Sequence, residues 1–204
     1  MEGTTGKAER AEATRAALIR AARALFREHG YGGVGTEEIV RQAAVTRGAL
    51  YHHFADKRDL FRAVHEHIEK EIVATIAGQM AGVEDPVELL RSGTRAYLDV
   101  CTDREITRIT LIDAPSVLGW QEWREVDMRN SLGLVIAALQ GGMDAGALVP
   151  QPVRPLAHLL LGALGEAGMM IANAADPKAT RAEIEPALLG LIEGMRPAVA
   201  QRRD

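Results

Sequence analysis

Arg47, Ala49, Tyr51, His52 and His53 lie within seven residues of one another, with Thr46 before them and Lys57 after. These groups suit the reading of a DNA major groove more than catalysis. A guanidinium matches the two acceptors on the guanine edge, and a methyl can meet the thymine methyl. Hydroxyl and ammonium groups bind phosphate oxygens. The pattern predicts a short helix over 47–53 with Thr46 at its N-cap, and another over 36–43 with Thr36 at its N-cap. Glu37 and Glu38 fall in the first turn of the earlier helix, where carboxylates favour the dipole. Ile39, Ala43, Val45, Leu50 and Phe54 supply the apolar contacts that pack the pair across a tight corner. The second helix keeps its polar side free, the form that enters a groove.

Other chemistry is poorly supported. No Gly-x-Ser-x-Gly, His-Glu-x-x-His or dinucleotide fingerprint occurs, so the chain does not read as an enzyme and no cofactor is implied. The connector Tyr31–Gly35 is glycine-rich, but no strand precedes it and no Gly-Lys-Ser/Thr follows, so it reads as a turn. His65, Glu66 and His67 follow His52 and His53. Residues two apart on a helix face different ways, and the pairs His65/Glu69 and His67/Glu71 read as solvated polar surface.

The elements that must position these residues are helices. Over its 204 residues the chain is 47% hydrophobic and 25% charged, which supplies a core. Apolar spacing predicts a helix from Ala13 to His29, carrying Leu18, Ile19, Ala22, Leu25 and Phe26, after a short polar, frayed start at Met1–Arg10. A long helix over 57–80 buries Leu60, Phe61, Val64, Ile68, Ile72 and Ile76. Further helices are predicted at 86–101, at 103–113 with Pro115 as a stop or bend, and at 122–143, 154–174 and 178–196. No strand pattern, repeat or flexible linker is evident. No apolar run reaches the roughly 20 residues of a membrane span and no signal peptide opens the chain, so no membrane partner is expected. The single Cys101 fits a reducing, cytoplasmic setting.

Charge divides along the chain. Residues 1–58 hold 10 Lys/Arg against 7 Asp/Glu, a balance of +3, whereas 59–204 hold 14 against 21, a balance of −7. A mildly basic head on an acidic body suits contact with DNA at one end. The expected domains are 1–58, a helix-turn-helix DNA-binding domain, and 59–204, a helical ligand-sensing and dimerisation domain. The fold class is all-α: a three-helix head joined by a long helix to an all-helical body, about nine helices in total.

The run TEEIVRQAAVTRGALYHHFADKRDLF, after a first helix and before a helical body, closely resembles the TetR family of bacterial transcriptional regulators. The strong resemblance covers residues 13–62; beyond residue 80 it rests on length and helix pattern. It implies a homodimer on a near-palindromic double-stranded operator. Thr36, Thr46, Tyr51 and Lys57 would contact phosphates, Arg47 and His52 would read bases, Ala49 would meet a thymine methyl, and Gly48 would allow close approach. The competing readings are packing over the head for Tyr51 and a solvated surface role for Arg47. Many relatives carry Gly at the corner held here by Ala44; a positive φ there would cost alanine about 1 kcal/mol.

The resemblance also implies a body that dimerises through its last two helices and holds a small, mostly apolar effector. Glycines at 162, 165 and 168, with Leu159, Leu160, Leu188 and Ile192, suggest half of a four-helix dimer interface, or else a tightly packed core of one chain. Polar or bulky residues on apolar helices are the pocket candidates: Tyr97, Cys101, Thr107, Trp120, Trp123, Met128, His158, Glu166, Met169 and Asn173. The main reading is a ligand-responsive homodimeric repressor, repression being the family's commoner outcome. The alternatives are a metal-responsive regulator, or a DNA-binding dimer without a small effector.

Overall fold

The computed structural model describes residues 2–198, and among them there are nine helices and no strand. In chain order these are α1 (Glu2–His29), α2 (Thr36–Gln42), α3 (Arg47–His53), α4 (Lys57–Met80) and α5 (Pro86–Val100). Then come a composite α6 (104–118), α7 (Trp120–Asp144), α8 (Val153–Ala172) and α9 (Pro177–Glu193). α1 starts earlier than the amphipathic spacing predicts, because the Ala-, Glu- and Arg-rich segment before Ala13 is itself a good helix former. Two helices begin with the same device. Asp85 accepts from the Val87 and Glu88 amides and Asp176 from the Lys178 and Ala179 amides, each with a proline at the next position.

Contacts divide the chain into two compact units. The first comprises residues up to Glu69 together with Arg104–Trp123; the second comprises Lys70–Asp103 and the residues from Arg124 onward. The division falls inside α4 and inside α7.

In the first unit, α1, α2 and α3 pack on one another around Leu18, Phe26, Ile39 and Leu50, all fully buried. Phe26, Tyr31 and Phe61 form an aromatic trio with ring centroids 5.1–5.8 Å apart. α6 is fastened to this core by charge. Arg23 donates to both Glu105 carboxylate oxygens, at 3.0 and 2.8 Å, and the Tyr31 amide donates to Asp113 at 2.8 Å. Gly30 ends α1 with φ +68°, a left-handed backbone that favours glycine, and a Cβ there would push aside the Arg108 guanidinium, 1.8 Å away.

Pro115 does not stop α6. The helix widens into a π-helical stretch over Thr107–Asp113 and continues as Ala114–Leu118. Within that stretch the Ala114 amide bonds the Ile109 carbonyl, so the Thr110 carbonyl would next meet the nitrogen of Pro115, which has no hydrogen. The Trp123 indole N–H fills that place at 2.9 Å.

The second unit packs α5, α8 and α9 together. An ion ladder runs between α5 and α9: Arg95 bonds Glu185 at 3.0 Å and Glu88 at 2.7 Å, and Arg181 bonds Asp99 at 2.7 Å and also Glu185. α8 is long and apolar enough to cross a membrane by length and composition alone. Here it buries Ala157, Leu160, Leu161, Leu164, Ala167 and Ile171 inside the unit.

Candidate nucleic-acid interface

α3 is held by its apolar edge and offers the rest. Leu50 is fully buried, and Phe54, the C-cap residue, is nearly so. Thr46 caps the helix: its Oγ1 accepts from the Ala49 amide at 3.2 Å, which leaves the exposed hydroxyl proton free to donate to a phosphate. Arg47 and His52 are exposed, and Tyr51 is 44% exposed. The Arg47 guanidinium lies 5.6 Å from the Tyr51 ring centroid and 3.6 Å from the Glu37 carboxylate. Both contacts are weak at the surface, so Arg47 can turn to a base edge. Gly48 is exposed with no neighbour crowding it but the Thr46 hydroxyl, and the Ala49 methyl is half-buried. His53 is half-buried with its ring 5.2 Å from that of His52.

The corner between α2 and α3 holds Ala44 at φ +54°, the left-handed backbone that glycine would take without penalty. One expectation needs correction. Thr36 is not the N-cap of α2; Gly35 occupies that position and no side chain caps the helix. Lys57 is occupied inside the head: its ammonium donates to the Tyr31 and Val34 carbonyls at 3.0 and 2.9 Å and stands 4.0 Å from the Tyr31 ring centroid. Burial lowers its pKa. It ties the glycine-rich connector ahead of α2 to the start of α4. The exposed surface left by these contacts is a short helix with a capping hydroxyl, an arginine, a tyrosine and an imidazole on one side.

Comparison with known proteins agrees with this geometry. Residues 18–64 match the family model described as bacterial regulatory proteins of the tetR family, and residues 87–195 match the tetracyclin repressor-like C-terminal domain. The chain belongs to the TetR family. It is therefore a DNA-binding transcriptional regulator of the helix-turn-helix type. The transposon Tn10 TetC protein of Escherichia coli is 30% identical over 162 residues, 79% of this chain and 82% of that protein. The A-factor receptor protein of Streptomyces griseus is 26% identical over 200 residues, 95% of this chain and 66% of that protein. A TetR-family regulator from Pectobacterium atrosepticum superposes with TM-score 0.83 at 35% identity, over 92% of this chain and 96% of that one.

In this TetR-family chain the expected effector residues do not form one cluster. Trp120 is 62% exposed in the first unit, and His158, Glu166 and Asn173 stand on the exposed side of α8. These four do not line an interior site, because 158, 166 and 173 share the helix face opposite to Leu161, Leu164 and Ile171. Trp123 is buried but spends its indole on the Thr110 carbonyl, and Thr107 is half-buried in the π-helical stretch. Tyr97 and Cys101 do come together: a Cβ at Gly168 would meet the Tyr97 hydroxyl at 2.7 Å and the Cys101 sulfur at 3.2 Å. Met128 and Met169 are half-buried.

The glycines of α8 have an intramolecular partner as well. A Cβ at Gly165 would lie 3.4 Å from the Arg124 guanidinium. That guanidinium bonds Asp127 at 2.7 Å, a carboxyl whose pKa burial raises against the pull of Arg124. Arg124 and Asp127 were not singled out from the sequence, because an i,i+3 ion pair among Glu122, Glu125 and Arg129 reads as an ordinary charged helix face. Leu188 and Ile192 are also inward, at 5% and 0% exposure, so they build the unit's own core rather than a dimer surface. Leu159 is 72% exposed and Gly162 is exposed, which leaves them available to a partner.

Proposed function

We propose that this regulator is a homodimeric repressor that sets two α3 helices on a near-palindromic operator and is released by a small, mostly apolar effector. The observation that carries the reading is α3 itself: Leu50 is locked in the core while Thr46, Arg47, Tyr51 and His52 are offered together to solvent. Arg47 and His52 read bases, Tyr51 and the Thr46 hydroxyl grip phosphates, and Thr36, half-buried at the start of α2, adds a further phosphate contact. Residues 1–58 form the DNA-binding segment and 59–204 the sensing and dimerising segment. One short helix makes few phosphate contacts, so pairing two chains supplies the affinity that one lacks. The outer faces of α8 and α9, with Leu159, Gly162, Met170 and Leu191 exposed, support the pairing.

Support for an effector comes from the similarity to a protein named as a receptor for A-factor and from Tyr97 and Cys101, which come together beside Gly168. An effector releases the operator only through its different affinity for the two states of the dimer. α4, which carries the chain onward from α3, is the natural lever. A regulator of this kind works in the cytoplasm, where the DNA is. Selection of bound genomic fragments tests the proposal: recovery of one near-palindromic sequence upstream of a gene supports it, and recovery of unrelated fragments refutes it.

A further inference from the structure

Glu37 is an anion on a surface that meets phosphates. It lies in the first turn of α2, its side chain is 85% exposed, and its carboxylate stands 3.6 Å from the Arg47 guanidinium. A carboxylate in that place weakens the grip on DNA by repulsion. The helix start does not account for it alone, because Glu38 occupies the same turn and already serves the dipole. Glu38 turns to Arg41 on its own helix, at 3.9 Å. Glu37 reaches across the corner to α3 instead.

Arg47 is thus met from both helices of the pair: by Glu37 of α2, and by the Tyr51 ring one turn along α3, 5.6 Å from the guanidinium carbon. The carboxylate faces Nη1 at ion-pair distance, beyond a hydrogen bond, so it takes up no donor of the fork. The two donors that match O6 and N7 of guanine stay available. In water both contacts are loose; in a groove, where the dielectric falls, the charge pair strengthens. A long arginine at the rim of a groove has two destinations, a base edge or the nearest phosphate. A phosphate beside Arg47 would also stand near the Glu37 carboxylate and be repelled, whereas the guanine edge carries no net charge. We propose that Glu37 is a positioning residue for sequence reading: it steadies Arg47 against Tyr51 and keeps the guanidinium off the phosphates, so that its contact falls on a base. The inference rests on the reading of Arg47 as a base reader. Glu37 gives up overall affinity and gains discrimination, as a repulsive element in a specific interface does.

The test is binding-site selection on randomised duplexes with the full chain, as wild type, Arg47→Ala, Glu37→Gln, Glu38→Gln and the double variant Glu37→Gln with Arg47→Ala. The base pair whose preference Arg47→Ala abolishes is the one that Arg47 reads. Fluorescence anisotropy at fixed salt then compares the selected duplex, the same duplex changed at that base pair, and an unrelated duplex. Glu37→Gln is expected to lower discrimination at that base pair by about three- to tenfold, to leave the other positions intact, and to raise affinity for the unrelated duplex. The double variant should discriminate no worse than Arg47→Ala, because Glu37 acts through Arg47. Glu38→Gln removes a carboxylate from the same turn and should discriminate as wild type does. If Glu37→Gln melts early, Glu37→Asp decides: it keeps a charge at the start of α2, draws the carboxylate back by one methylene, and should still lose discrimination. Undiminished discrimination in the folded Glu37 variant, an equal loss in Glu38→Gln, a loss spread over all positions, or weaker binding to the unrelated duplex overturns the proposal. Loss in Arg47→Ala without loss in Glu37→Gln removes the role of Glu37 alone. No change in Arg47→Ala removes the base-reading assignment, and the role of Glu37 falls with it.

Discussion

Ala44 and His65 each carry a single-residue cost that the fold tolerates. Ala44 sits at φ +54°, and replacing it with glycine relieves a left-handed alanine. Ala44→Gly should stabilise the head by about 1 kcal/mol, read from chemical denaturation; a loss of stability would mean that the corner is not strained. His65 imposes a pH dependence whose sign is fixed by its depressed folded pKa, about 4 against 6.5 for the free side chain. Above pH 6.5 both states are neutral at this site and no penalty exists. As pH falls from 6.5 to about 4, the unfolded chain takes up a proton that the folded chain refuses, and stability drops by roughly 3 kcal/mol. The Glu69 carboxylate, 3.8 Å from Nδ1, opposes this penalty without removing it. The loss should be absent in His65→Leu, measured by denaturation across that pH range. Sequence alone placed His65 and Glu69 on a solvated face, because an i,i+4 His–Glu pair has the polarity of a surface. The arc set by Phe61, Val64 and Ile68 puts position 65 inside, and here packing overrode residue type.

At the scale of elements, α3 was the most legible part of the chain. Its Leu50 anchor, Thr46 cap and exposed polar side all follow from local spacing. The ties that hold it in place were not legible. Lys57 bonds carbonyls at Tyr31 and Val34, partners more than twenty residues back in the chain, and no local pattern announces such a pair. The π-helical stretch was equally hidden, since seven residues are too few to show a changed period. Lys57→Met separates a structural tie from a phosphate contact. The tie predicts a stability loss of about 1–3 kcal/mol, with sequence preference retained. A phosphate contact alone would leave stability unchanged and lower the salt slope of operator binding by about 1.

For the whole molecule, two compact units share one chain, and the last two helices show which reading of their pattern holds where. The glycines of α8 invited a dimer interpretation because small residues permit close helix approach. Gly165 and Gly168 in fact accommodate Arg124, Tyr97 and Cys101 of the same chain. The outer stripe is a different set, led by Leu159 at 72% and Leu191 at 57% exposure. Leu159→Glu combined with Leu191→Glu should leave a folded monomer that has lost most of its operator affinity, seen by light scattering and fluorescence anisotropy. A double variant that remains dimeric would move the interface elsewhere. The central claim is that α3 reads sequence through Arg47. It is tested most directly by binding-site selection with wild type and Arg47→Ala in parallel. A near-palindrome from wild type, and loss of base preference at matching positions of both half-sites in the variant, costing about 1–3 kcal/mol at each, is the predicted result. The same motif with undiminished preference from both proteins would contradict it.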